Sequence, residues 1–186
     1  MNDNIIIIGP IGVGKSTVAP EVARRTGKKH IDMDELREEI YALTDFSKKL
    51  LKKAYSKGGI VEWHDYQKPF ELFAVQTLLE QHTNAVIEFG GGQSVYTDET
   101  QAATFLSLIK DEPFVILMLP CENSVRSAKI LGDRARNIDE KILNDIFITS
   151  ETNKKAAKYV VYTEGKTPEE TISEIVKIYH QAGSKI

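Results

Sequence analysis

The chain has 186 residues, 41% of them apolar and 27% charged, with a formal net charge of −3. That length suits one domain with a substantial core, and the slightly negative balance excludes non-specific nucleic-acid binding, which needs a basic surface. Cys121 is the only cysteine, so no intramolecular disulfide or cysteine-rich metal site can form, which fits a reducing compartment.

The first element is an apolar run over residues 4–8, with Ile5, Ile6, Ile7 and Ile8 in succession. It is far too short to cross a bilayer and is flanked by Asn and Asp, so a cytoplasmic protein without a membrane partner is expected. Gly9-Pro10-Ile11-Gly12-Val13-Gly14-Lys15-Ser16 follows, and Thr17-Val18-Ala19 opens a helical pattern. Strand, glycine-rich turn and helix form the context that the P-loop pattern G-x-x-x-x-G-K-[ST] requires. Its backbone N–H groups crowd around phosphate oxygens, and the next helix presents unpaired donors and a positive dipole end to the same anion. Lys15 adds a mobile cation for the outer phosphates, and the Ser16 hydroxyl is a ligand for Mg²⁺. These residues predict binding of a nucleoside triphosphate through Gly9, Gly12, Val13, Gly14, Lys15, Ser16 and Thr17.

Further apolar runs occupy residues 29–31, 85–89, 114–119 and 159–163, and helical patterns occupy 15–25, 34–42, 64–81, 98–110, 122–131, 139–158 and 168–181. Unbroken apolar runs suit parallel strands covered on both faces. Their alternation with helices predicts an α/β fold, a doubly wound three-layer sandwich with a five-stranded parallel sheet and right-handed crossovers. Pro20 should remove one hydrogen bond from the first helix, and Pro69 should interrupt or kink the long middle one. Thr167-Pro168-Glu169-Glu170 reads as a helix start, with a capping hydroxyl, proline in the first turn and acids at the positive end.

Ligands in such sheets bind beyond the carboxyl ends of the strands, so the residues after each strand carry the chemistry. Asp32 and Asp34 alternate after the second strand and both point one way if the extended geometry continues. One then holds Mg²⁺, through water, and the other orients or deprotonates an attacking hydroxyl. Asp34 also opens an acidic helical segment, where it reads equally well as an N-cap. Gly90-Gly91-Gly92 costs about 1 kcal/mol per glycine relative to alanine in regular structure. Either the backbone must approach something closely, such as a substrate, or the segment is a tight turn. Glu88 sits inside an otherwise apolar strand, facing Lys15 and Mg²⁺ or pointing outward from the sheet's end. Gly132-Asp133-Arg134-Ala135-Arg136-Asn137 suggests a lid with two arginines that closes over ATP; the plainer reading is solvated arginines at helix ends. Arg126, upstream, is placed to lie against an adenine face.

Together these residues resemble the shikimate kinase family among the P-loop kinases related to nucleoside-monophosphate kinases. The likeness runs nearly end to end: the P-loop, Asp32-x-Asp34, the triple glycine, the arginine-bearing lid, the final Tyr-Val-Val-Tyr-Thr strand and the Thr-Pro-Glu-Glu helix start. It implies one kinase domain over 1–186, an acceptor-binding region at about 34–82 and a small lid at about 130–140. It implies Mg²⁺ with ATP as co-substrate, Ser16 and Asp32 at the metal, and Asp34 at the acceptor hydroxyl. Lys15, Asp34 and Arg134 or Arg136 would carry catalysis, Gly90 to Gly92 would line the acceptor site, and Pro168 with Arg126 would flank the adenine. ATP or ADP and a small hydroxylated acceptor are the expected partners, and a monomer or weak dimer the expected state.

Two departures stand out. The family holds its substrate carboxylate with an arginine in an F-R-x-x-E pattern, where this chain offers Gln67-Lys68-Pro69-Phe70-Glu71. A second arginine follows the lid in the family, but no arginine occurs here after Arg136. Lysine cannot copy the guanidinium fork, so the phosphotransfer half reads as intact and the acceptor half as altered, with Lys68 as the candidate cation. Trp63 and Tyr66 either contact the acceptor or serve a core. An alcohol phosphotransferase is the leading expectation. The alternatives are a nucleoside or nucleotide kinase of the same superfamily and a nucleotide-binding protein without phosphotransfer.

Overall fold

The computed structural model describes residues 3–183, so the outermost positions of the expected 1–186 domain lie outside it. Its elements are, in chain order, β1 (Ile5–Ile8), α1 (Lys15–Thr26), β2 (Lys29–Asp32), α2 (Met33–Tyr41), α3 (Lys48–Gln81), β3 (Ala85–Glu88) and α4 (Glu99–Ile109). Then come β4 (Phe114–Leu119), α5 (Ser124–Arg134), α6 (Ile138–Thr149), α7 (Glu151–Ala156), β5 (Tyr159–Tyr162) and α8 (Pro168–Gly183). The five strands form one parallel sheet in the order β2-β3-β1-β4-β5. The expected doubly wound α/β fold is present.

The isoleucines of β1 are fully buried because a central parallel strand is covered twice. Ile6 and Ile8 pack with Ile40 of α2, Ala74 and Leu78 of α3 and Phe105 of α4. Ile5 and Ile7 pack on the other face with Val18 and Val22 of α1 and Ile172 and Ile175 of α8. Each fully buried side chain of this kind contributes about 1.5–3 kcal/mol. The chain reverses its direction of winding at β1, which has β3 on one side and β4 on the other. The crevice there, beyond the strand's carboxyl end, belongs to the P-loop.

Helix boundaries differ from the sequence expectation in three places. α3 begins at Lys48 rather than 64, with the Ser47 side chain accepting from Leu50 N. Its break falls at Gly58 and Gly59, not at Pro69, because Gly59 adopts φ 68°, a left-handed value open to glycine. The pattern over 139–158 is two helices, separated at Ser150, whose extended backbone (ψ 117°) ends α6 and whose hydroxyl caps α7. The segment expected as a flexible lid is helical through Arg134, and only residues 135–137 separate α5 from α6. The Thr167 start forms a reciprocal capping box: Glu170 N donates to Thr167 Oγ1 (3.2 Å) and Thr167 N to Glu170 Oε2 (2.7 Å).

Candidate active site

The loop between β1 and α1 is held from three sides. Lys15, nearly buried, donates from Nζ to the Gly9 and Pro10 carbonyls of its own loop at 2.8 and 3.1 Å. Gly9 lies so close to the Met118 carbonyl of β4 that a Cβ would collide with it. Asn144 of α6 clamps the Ile11 peptide reciprocally: Ile11 N donates to Oδ1 (2.8 Å), and Nδ2 donates to Ile11 O (3.1 Å). Arg134 of α5 donates to the Gly12 carbonyl at 3.2 Å. The helices on either side of the short lid break therefore both rest on the phosphate loop.

Glu88 points into the site. Its Oε1 accepts from the Ser16 hydroxyl at 2.5 Å, and its Oε2 lies 3.3 Å from His30 Nε2. Burial lowers the Lys15 pKa from 10.5 to about 8, against the pull of Glu88, then Asp34 and Asp32. The Lys15 ammonium thus sits in a field of three carboxylates.

Asp32, not Asp34, caps α2: its Oδ1 accepts from Asp34 N at 2.8 Å. That leaves the Asp34 carboxylate facing the glycine turn. Oδ1 accepts from Gln93 Nε2 at 3.0 Å and lies 3.4 Å from Arg37 Nη1. Gln93 also accepts from Gly90 N at 2.6 Å, so one buried amide ties the turn to the acid. The triple glycine is a matter of clearance, since none of the three has positive φ. A Cβ on Gly90 would stand 2.6 Å from Asp34 Oδ1, on Gly91 2.6 Å from Ile11 Cγ1, and on Gly92 2.9 Å from His64 Nε2. The turn touches the acid, the phosphate loop and α3 at once.

Asp34, Gly90, Gly91, Gly92 and Arg136 border a cavity of about 350 Å³. A cleft of about 230 Å³ on the other side of the loop is bordered by Val13, Gly14, Thr17, Arg134 and Pro168. Arg136 is largely exposed and pairs with Glu140, donating from Nε at 2.6 Å and from its backbone N at 2.9 Å. Arg126 is outside the cleft wall, held by Glu164 at 2.7 Å. Lys68 is buried beneath the turn, paired with Glu71 and donating to the Gly92 carbonyl at 2.7 Å. It is absent from the cavity wall, so the cation expected for the acceptor supports the turn instead. Tyr66 joins an aromatic core with Phe46 and Phe70, whereas Trp63 faces the cavity. Burial and the nearby Lys68 ammonium hold His64 down to about 3, so its imidazole is neutral.

Asn144, Gln93 and Arg37 were not singled out by sequence. No local pattern marks the first two, whose roles come from contacts across the fold. Arg37 carried a signal, one helical turn after Asp34 on the same face.

Among the described residues no group of three His, Cys, Asp or Glu suits a metal, and no helix is long and apolar enough to cross a membrane. The profile described as Shikimate kinase matches residues 11–180. A shikimate kinase of Staphylococcus aureus (strain N315) is 31% identical over 147 residues, 77% of this chain and 74% of that one. Another, from Thermodesulfovibrio yellowstonii, is 24% identical over 188 residues, 96% of this chain and 95% of that one. The structure of shikimate kinase from Acinetobacter baumannii in complex with shikimate has the same fold, with a TM-score of 0.62 at 21% identity over 97% of this chain and 94% of that one. This likeness in family implies dependence on ATP and Mg²⁺. The matched span runs from the phosphate loop through both aspartates, the glycine turn and the lid into α8, and the chain belongs to the shikimate kinase family, P-loop kinases acting on small molecules.

Proposed function

We propose that this chain transfers the γ-phosphoryl group of ATP to a hydroxyl of a small acceptor, as a shikimate-kinase-like phosphotransferase whose carboxylate recognition has changed. The observation that supports this most is the packing of Asp34 against the Gly90 turn, where its Oδ1 accepts from Gln93 Nε2 at 3.0 Å, beside the loop that bears Lys15 and Ser16. Strand order β2-β3-β1 makes the three segments neighbours.

The loop amides and Lys15 bind the phosphate tail. The acceptor oxygen bonds to the γ-phosphorus as the bond from that phosphorus to its bridging oxygen breaks, ADP leaves, and the hydroxyl proton passes to Asp34. Gln93 and Arg37 fix that carboxylate in place. Arg134 and Arg136 bring positive charge to the transferring group. Pro168 and Arg126 flank the adenine, the latter on leaving Glu164. An all-oxygen set of Ser16, Asp32 and Glu88 fits Mg²⁺, which takes few protein ligands beside phosphates and supplies charge neutralisation there.

A coupled ADP-release assay across shikimate, polyhydroxylated acids, sugars and nucleosides tests the reading. Acceptor-dependent turnover with at least one of them is expected, and shikimate is expected to be weak because no arginine fork is present in the Lys68 position. Release that no acceptor stimulates would overturn the proposal in favour of nucleotide binding without transfer. Stimulation by nucleosides alone would make the chain a nucleoside kinase.

A further inference from the structure

The cavity beside Asp34 has a larger neighbour. A second cavity of about 850 Å³ lies between α2 and the first half of α3, walled by Tyr41, Phe46, Tyr55 and Trp63 together with Lys52. Arg37 and Trp63 stand in the walls of both cavities and mark the boundary between them. The outer chamber is more than twice the size of the inner one, and by itself lies at the upper end of the range of small-molecule pockets.

Three features of this boundary point to a ligand. Arg37 touches Asp34 through one nitrogen at 3.4 Å, and no other carboxylate pairs with it among the described residues. Most of its fork is available to an anion. The Tyr41 hydroxyl is buried and has no hydrogen-bond partner, a cost to the fold unless a bound molecule supplies one. The wall is rich in flat rings, which bind other flat rings at low conformational cost. Of the other cations nearby, Lys68, Arg136 and Lys48 are held by Glu71, Glu140 and Glu38, and Lys52 lines the outer chamber alone, away from the boundary.

Building on the phosphotransfer reading, we propose that the acceptor is an elongated alcohol with three parts. Its hydroxyl meets Asp34, its anionic group pairs with Arg37, and a flat unsaturated or aromatic ring enters the outer chamber between Trp63 and Tyr41. A compact hydroxy acid fills the inner cavity alone and leaves Tyr41 unpartnered. The missing family arginines are thus replaced from α2, by a cation that also faces the space into which a longer molecule extends.

Titration calorimetry on the full chain tests this with two matched pairs of probes: ribose 5-phosphate against uridine 5′-monophosphate, and lactate against 3-phenyllactate. Each pair shares its hydroxyl and anion and differs in the ring. Mg·ADP is titrated first and kept saturating to fill the nucleotide cleft. In at least one pair the ring-bearing member is expected to bind about tenfold tighter and to quench Trp63, the chain's single tryptophan. Arg37→Gln should reduce that affinity about tenfold. Tyr41→Phe should raise the melting temperature of the unliganded chain yet weaken ring-bearing probes, a combination that a purely structural hydroxyl would not give. Equal affinities within both pairs, or affinity unchanged in both variants, would overturn the proposal even if shikimate were turned over. Absence of Mg·ADP binding would instead overturn the kinase reading, and ring-dependent binding with Trp63 quenching would still stand.

Discussion

The phosphate-loop side and the proposed acceptor side of this molecule are built differently. The phosphate loop is tied by its own lysine, by Asn144 and by Arg134, and it leaves the most deeply buried strand of the sheet. The proposed acceptor side rests on a helix broken at Gly58 and Gly59, beside a wide aromatic chamber that Lys48 and Lys52 also line. Chemistry common to many substrates sits on rigid backbone, whereas recognition of one substrate sits on helices whose side chains can be exchanged without disturbing the phosphates. Tyr55 of the outer chamber links the two sides, donating to Asp139 of α6 at 2.8 Å.

Four changes break or sharpen that contrast. Lys15→Ala should have the largest effect, lowering the rate of ADP release by at least about 10²–10³-fold, because it removes the buried cation proposed to bind the phosphate tail. Gly90→Ala should follow, at about 10²-fold, since a Cβ 2.6 Å from Asp34 Oδ1 displaces the acid without touching the nucleotide loop. ADP affinity by calorimetry should stay near wild type in that variant.

The third is a pH dependence of the phosphate-loop side alone. Because Lys15 titrates near 8 in the folded chain, ADP affinity should be full below that pH and fall, by up to about tenfold per unit, as pH rises above it. Stability of the unliganded chain should move the other way. Between about 8 and 10.5 the unfolded chain binds more protons at this group, so raising the pH favours the fold. The smallest effect belongs to Asn144→Ala, which leaves the Ile11 N–H and carbonyl unpaired. It should cost about 1–3 kcal/mol, read as a drop of about 2–4 °C in melting temperature per kcal/mol.

What was legible in the sequence follows the same division. The five strands, the P-loop and the Thr167 start are contiguous patterns whose physics is local, and each lies where the sequence puts it. The polar first half of α3 carries little apolar periodicity, and its charged residues face solvent, so it was not expected. The break at Gly58 and Gly59 rather than Pro69 shows that a left-handed turn outweighs a missing N–H in ending a helix. The triple glycine reads in sequence as either a close approach or a tight turn; it is a turn whose close neighbours, Asp34, Ile11 and His64, are known only once β1, β2 and α3 are packed. Gln93 and Asn144 depend on the same packing, and nothing in their flanking residues announces them; Glu88 stands out as an acid in an apolar strand, but its contact with Ser16 exists only in the folded chain.

The proposed reaction depends on Asp34 directing the end of a gripped triphosphate onto an alcohol. Phosphorus NMR of the full chain with Mg·ATP and the acceptor found in the ADP-release assay follows that transfer directly, with wild type and Asp34→Asn side by side. A phosphate-ester signal should grow with wild type and fall by about 10²–10⁴-fold in rate with Asp34→Asn, while ADP affinity stays unchanged. Ester formation at an undiminished rate in Asp34→Asn would contradict it.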